Sequence, residues 1–93
     1  MALLESTAVR DQMRTLPGWS LQDSMIRRTY AFPDFLGAIA FVNTVAPLAE
    51  QACHHPDIDI RWNRVTLALT THDEGGLTAK DFDLARQLDA AAG

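Results

Sequence analysis

Cysteine is nearly absent from this 93-residue chain: a single one, Cys53, excludes an internal disulfide and fits a reducing compartment. Basic charge is also short. Eight lysines and arginines face twelve aspartates and glutamates, a formal net charge of −4. A nucleic-acid binder would need a basic footprint, so no nucleic-acid partner is expected. The longest strongly apolar stretch, Phe35 to Val42, falls far below the roughly 20 residues that span a bilayer. Glu5, Arg10 and Asp11 break up the N-terminus before a signal-peptide core develops. There are no repeats, linkers or low-complexity segments. The expectation is one small soluble cytoplasmic domain over residues 1–93 with no membrane partner. Hydrophobic residues at 47% suffice for a core.

The residues that are present order themselves clearly. Residues 4–14 place Leu4, Ala8 and Val9 on a polar background, as a short amphipathic helix would, and Leu16-Pro17-Gly18 stops it. Trp19 and Leu21, then Ile26, Tyr30 and Phe32, alternate with polar residues around Asp23-Ser24, which predicts a hairpin. Pro33-Asp34 opens a helix running to about residue 52. Its predicted buried face is Phe35, Ile39, Val42, Ala46 and Ala49, with a bend near Thr44 because Pro47 sits in the interior.

Ile58, Ile60 and Trp62, then Val65, Leu67 and Leu69, form two period-2 runs around Asn63-Arg64, a tight antiparallel hairpin. Asp57, Asp59 and Arg61 fall on its solvated face. Thr78 and Asp81 then read as an acidic capping box for a last helix buried through Phe82, Ala85, Leu88 and Ala92. The order α-β-β-α-β-β-α gives an α+β fold: a four-stranded antiparallel sheet with three helices on one face.

The stretch EQACHHPDIDIRW, residues 50–62, carries two of only three histidines side by side. Pairing Trp62 with Val65 sets Ile60 opposite Leu67 and Ile58 opposite Leu69. Continued outward, that count puts His55 opposite His72, so all three histidines converge at one sheet end near Glu50 and Asp73-Glu74. Three readings follow from such a cluster: proton transfer, a metal site, or histidines that cap a helix and decorate a hairpin mouth. Adjacent histidines rarely aim at one ion, and Cys53 reads as a small packed hydrophobe.

The spacing Glu50, three residues, His54-His55-Pro56, five residues, Trp62, nine residues, His72, eight residues, Asp81 resembles the signature of the pterin-4a-carbinolamine dehydratases. The segments LPGWSL, AFPDFLGAIAFV and THDEGGLTAKDFDLA are similar to that family too, so the resemblance runs from about Leu16 to Leu88. Two departures are Pro47, where the family usually runs an unbroken helix, and a compact first hairpin turn. The resemblance implies conversion of 4a-hydroxytetrahydropterin to quinonoid dihydropterin and water, recycling a tetrahydrobiopterin-type cofactor for aromatic amino-acid hydroxylases. It implies His54 and His72 as an acid/base pair, and His55 holding the pterin with a share in proton transfer. Glu50, Pro56, Thr71, Asp73 and Asp81 are implied as substrate contacts, Asp81 being an equally good helix cap. Trp62 reads as packing. No metal and no cofactor of its own are implied, and the partners would be a pterin and further copies in a homodimer or homotetramer. A non-catalytic dimerisation module on the same fold stays open, as does a metal-binding histidine site.

Overall fold

The computed structural model describes residues 3–93. In chain order it contains α1 (Ser6–Arg14), β1 (Ser20–Gln22), β2 (Met25–Ala31), α2 (Phe35–Ala52), β3 (Asp57–Arg61) and β4 (Arg64–Leu69). A single 3₁₀ turn (His72–Glu74) and α3 (Ala79–Ala92) follow. The sheet order is β1-β2-β4-β3, every pair antiparallel. This is the α+β arrangement the pattern implies.

Pairing sets the two faces. Ile26, Tyr30, Val65, Leu67 and Leu69 are buried under the helices, while Arg27, Thr29, Asp57, Asp59 and Arg61 stay exposed. α3 completes the core with Phe82, Leu84, Ala85 and Leu88. A polar anchor holds its far end. Asp89 Oδ1 accepts from Trp19 Nε1 and Arg28 Nη1, each at 3.0 Å, and from the Tyr30 hydroxyl at 2.5 Å. Burial pushes the Tyr30 phenol well above its ordinary range, and the bond to Asp89 and its charge push the same way against the opposing Arg28.

Four expectations change. The β3–β4 register is shifted by two residues: Ile60 pairs with Val65 and Ile58 with Leu67, and Trp62-Asn63 form the turn. A two-residue slip leaves every side chain on its own face, so alternation alone could not detect it. Asn63 fixes the turn from outside the hairpin. Its carbonyl accepts from Phe32 N at 2.9 Å, and its Nδ2 donates to Phe32 O at 2.8 Å. Trp62 therefore sits in the turn with left-handed φ 50° and is 67% exposed, not packed.

The buried stripe of α2 is Ala38, Phe41, Val45 and Ala49, rotated from the expected one; Phe35 and Ala46 are exposed. The sheet and α3 take the side carrying Phe41, whose ring packs on Tyr30 and Phe32 at 4.7 and 5.1 Å between centroids. Helical spacing restricts a face to a sector but does not choose between adjacent sectors when both are apolar. As expected, the helix runs through Pro47 to Ala52, 18 residues long and apolar enough by length and composition to cross a membrane. One stripe of it, Ala38, Phe41, Val45 and Ala49, lies in the core. Cys53, lastly, is exposed rather than packed.

Candidate active site

The end of α2 sends the two adjacent histidines in opposite directions. Cys53 N bonds Glu50 O and His54 N bonds Ala49 O, both at 3.1 Å, which is a Schellman ending with Cys53 at the left-handed position. Glycine normally occupies that position, and an L-residue there costs roughly 1–2 kcal/mol. The sharp reversal turns His54 inward and leaves His55 outside.

His54 is 8% exposed, and its Nε2 lies 2.5 Å from Asp81 Oδ1. Asp81 is wholly buried yet fully partnered: Oδ2 accepts from Thr71 Oγ1 and from Thr78 N, each at 2.9 Å. Burying a carboxylate is costly unless donors satisfy it, and here three do. The bond from Thr78 N is half of the capping box that starts α3. Asp81 is thus both helix cap and histidine partner. His55 Nε2 lies 2.6 Å from Glu50 Oε1, with both side chains mostly in solvent. Glu50, implied as a substrate contact, thus partners the His55 imidazole and not that of His54.

His72 is set by a different device. The Thr71 carbonyl accepts from Glu74 N and Gly75 N at 3.0 Å, winding residues 72–74 into one 3₁₀ turn. Gly75 closes it with φ 75°, a conformation glycine adopts freely. His72 is left exposed at the rim.

These three elements enclose a cleft of about 220 Å³ lined by Cys53, His54, His55, Thr70, Thr71, His72, Asp73 and Lys80. All three histidines share it, although the revised register carries His54, not His55, to the level of Thr71. Glu50 and Asp81 stand behind it through His55 and His54, and Pro56 is not among its lining residues. Lys80 was not anticipated; only its position in the first turn of α3, one residue before Asp81, could have flagged it. A larger depression of about 600 Å³ is lined by Arg27, Arg28, Thr29 and Thr66. It holds no group that exchanges protons near neutral pH, so the smaller cleft is the candidate. Among the described residues, no three histidine, cysteine or carboxylate side chains are grouped to hold one metal ion.

The sequence matches the family model described as Pterin 4 alpha carbinolamine dehydratase over residues 2–91. The chain belongs to the pterin-4a-carbinolamine dehydratase family. A relative from Roseiflexus castenholzii, provisionally named pterin-4-alpha-carbinolamine dehydratase, is 58% identical over 88 residues, 95% of each chain. One from Chloroflexus aurantiacus, with the same provisional name, is 55% identical over the full length of both chains. Among solved structures, a transcriptional coactivator/pterin dehydratase from Brucella melitensis superposes with a TM-score of 0.92 at 37% identity, covering 97% of this chain and 98% of that one. A pterin dehydratase-like protein identified as a RuBisCO assembly factor in the alpha-carboxysome superposes at 0.68 with 25% identity, over 81% of this chain and 87% of that one. The dehydratase fold thus also occurs in a protein named for assembly.

Proposed function

We propose that this chain is a 4a-hydroxytetrahydropterin dehydratase that works by histidine acid/base catalysis. The observation that carries this reading is the convergence of His54, His55 and His72 on one cleft. In the elimination, the bond from carbon 4a to its hydroxyl oxygen breaks. The oxygen takes a proton from a histidinium and leaves as water. A neutral histidine removes the proton from the neighbouring ring nitrogen, and the electron pair left there forms the new carbon–nitrogen double bond. One proton is delivered and one is taken, so the step requires no electron carrier. Histidine suits both tasks because it titrates near neutral pH, and each positioned transfer contributes about 10²–10⁴-fold.

His54 and His72 form the acid/base pair in this reading. His55, steadied by Glu50, holds the pterin, and Asp73 and Thr71 border the same cleft. Asp81 serves through His54. Pro56 sets the entry to β3 behind the histidines. A cleft smaller than the roughly 300–1,000 Å³ of drug-sized sites suits one flat bicyclic ring, with its side chain left in solvent. The exposed thiol of Cys53 agrees with a cytoplasmic setting, where tetrahydrobiopterin-type cofactors would be recycled.

One observation favours a second role as an assembling subunit. Phe35 and Leu36 on α2, at 48% and 76% exposed, and Ile58, Ile60 and Trp62 along the edge strand β3 and its turn present apolar surface to solvent. A homodimer or homotetramer would cover it, and the histidine cleft would remain open. Turnover of 4a-hydroxytetrahydropterin by exhaustively chelated protein tests the catalytic reading. Undiminished activity supports it, whereas loss restored by zinc would make the histidines ligands.

A further inference from the structure

The hydrogens around Asp81 can be assigned one by one. A threonine hydroxyl has a single proton. Thr71 uses its own on Asp81 Oδ2 at 2.9 Å, so the 2.8 Å contact between the Thr71 and Thr78 hydroxyls must be donated by Thr78. Thr78 Oγ1 in turn accepts from Lys80 N at 3.3 Å. Every hydrogen in the chain Lys80 N, Thr78, Thr71 therefore points toward Asp81, and Thr78 N adds a second donor to the same oxygen. A carboxylate that receives this set accepts at Oδ1 as well, and the donor there is His54 Nε2. In a neutral ring the proton then resides on Nε2, and Nδ1 is the basic atom. Among the described residues Nδ1 has no partner and no buried side-chain nitrogen or oxygen lacks one, so Nδ1 is not sealed from solvent. The cleft that His54 lines is where it opens.

We propose that Thr71 and Thr78 are positioning residues that orient the Asp81 carboxylate and thereby lock His54 in the Nε2–H tautomer, with Nδ1 presented to the cleft as the proton acceptor. This rests on the acid/base reading for its catalytic consequence, but not for the tautomer itself. The N-terminal cap of α3 and the base of the reaction are one network, so the start of a helix sets which ring nitrogen faces the substrate. A wrong tautomer would place a donor where an acceptor is needed, whatever the affinity for pterin.

The test is ¹⁵N NMR of the imidazoles in the intact protein, alongside turnover of 4a-hydroxytetrahydropterin. Neutral wild-type His54 should show a protonated Nε2 and an unprotonated Nδ1. Thr71→Val, which keeps the shape and removes the hydroxyl, should give a mixture of tautomers. Its kcat should fall about 10- to 100-fold while KM stays close to wild type, the cost of a misplaced catalytic group. Thr71→Ser, which retains the donor, should recover both the single tautomer and most of the turnover. An Nδ1–H tautomer or a tautomer mixture in the wild type would overturn the proposal, even if the valine variant failed to fold. A single unchanged tautomer in folded Thr71→Val would overturn it too. Inactive wild type with the expected tautomer would instead count against the dehydratase reading.

Discussion

Replacing His54 with alanine should damage this protein twice, in turnover and in stability. The side chain is 9% exposed, and its Nε2 supplies one of three donors to a carboxylate with no solvent contact. A hydrogen bond to a charged group contributes about 1.5–3 kcal/mol, and its loss leaves Asp81 buried with its Oδ1 stripped of a partner. Water entering from the cleft limits any further cavity cost, so this range stands as the expected destabilisation. For a domain of this size each kcal/mol moves the melting temperature by about 4–8 °C, giving a fall of roughly 6–24 °C. Turnover should fall by about 10²–10⁴ at temperatures where the variant is folded. His54→Gln separates the two effects: its amide can donate to Asp81 and recover stability, but it cannot exchange a proton. His55 and His72 are exposed, so their alanine variants should melt within about 0.5 kcal/mol of wild type. Calorimetry of the three variants beside stopped-flow turnover checks the set. A His54→Ala protein that melts with the wild type would refute the buried hydrogen-bond reasoning.

Other perturbations reach other parts of the account. Tyr30 is the only tyrosine, and its phenol is held above the ordinary value of about 10. Below that value both states keep the proton. Above it only the unfolded chain loses it, so stability should fall as pH rises past 10, by about 1.4 kcal/mol per unit. Tyr30→Phe should be less stable at neutral pH and lack that portion of the slope, as denaturant melts from pH 8 to 11 would reveal; identical alkaline slopes would contradict the assignment. Pro47→Ala restores a backbone donor at an exposed position inside α2 and should raise the melting temperature, since an interior proline costs up to about 3 kcal/mol. A lower melting temperature would mean that the packing depends on proline there. Glu50→Ala should raise KM more than it lowers kcat and leave stability within about 0.5 kcal/mol, because the Glu50–His55 pair is mostly in solvent. A collapse of kcat as large as that for His54 would place Glu50 in the chemistry itself.

Much of the fold was legible because its signals are local. Proline and glycine punctuation, period-2 runs and the Thr78–Asp81 spacing each determine structure over a few residues, and α1, the first hairpin and α3 lie where those signals put them, as do the two strand runs of the second hairpin apart from its turn. What depends on tertiary choice was not legible. The turn at Trp62-Asn63 is decided by bonds between Asn63 and Phe32, 31 residues apart in sequence, and the buried sector of α2 by which side the aromatic cluster fills. At the site, the clustering of three histidines survived a wrong register because the slip moved only the identity of the facing residue. The split between an inward His54 and an outward His55 depends on the left-handed Cys53, which no side-chain pattern announces. The double duty of Asp81 was half visible: its spacing revealed the cap but not the histidine.

The most direct measurement is a stopped-flow record of chemically generated 4a-hydroxytetrahydropterin decaying to quinonoid dihydropterin, with and without this protein at catalytic concentration. The account predicts decay that accelerates in proportion to protein concentration and falls back by about 10²–10⁴ in turnover when His54 or His72 is alanine. Decay at the uncatalysed rate with folded wild-type protein would contradict it.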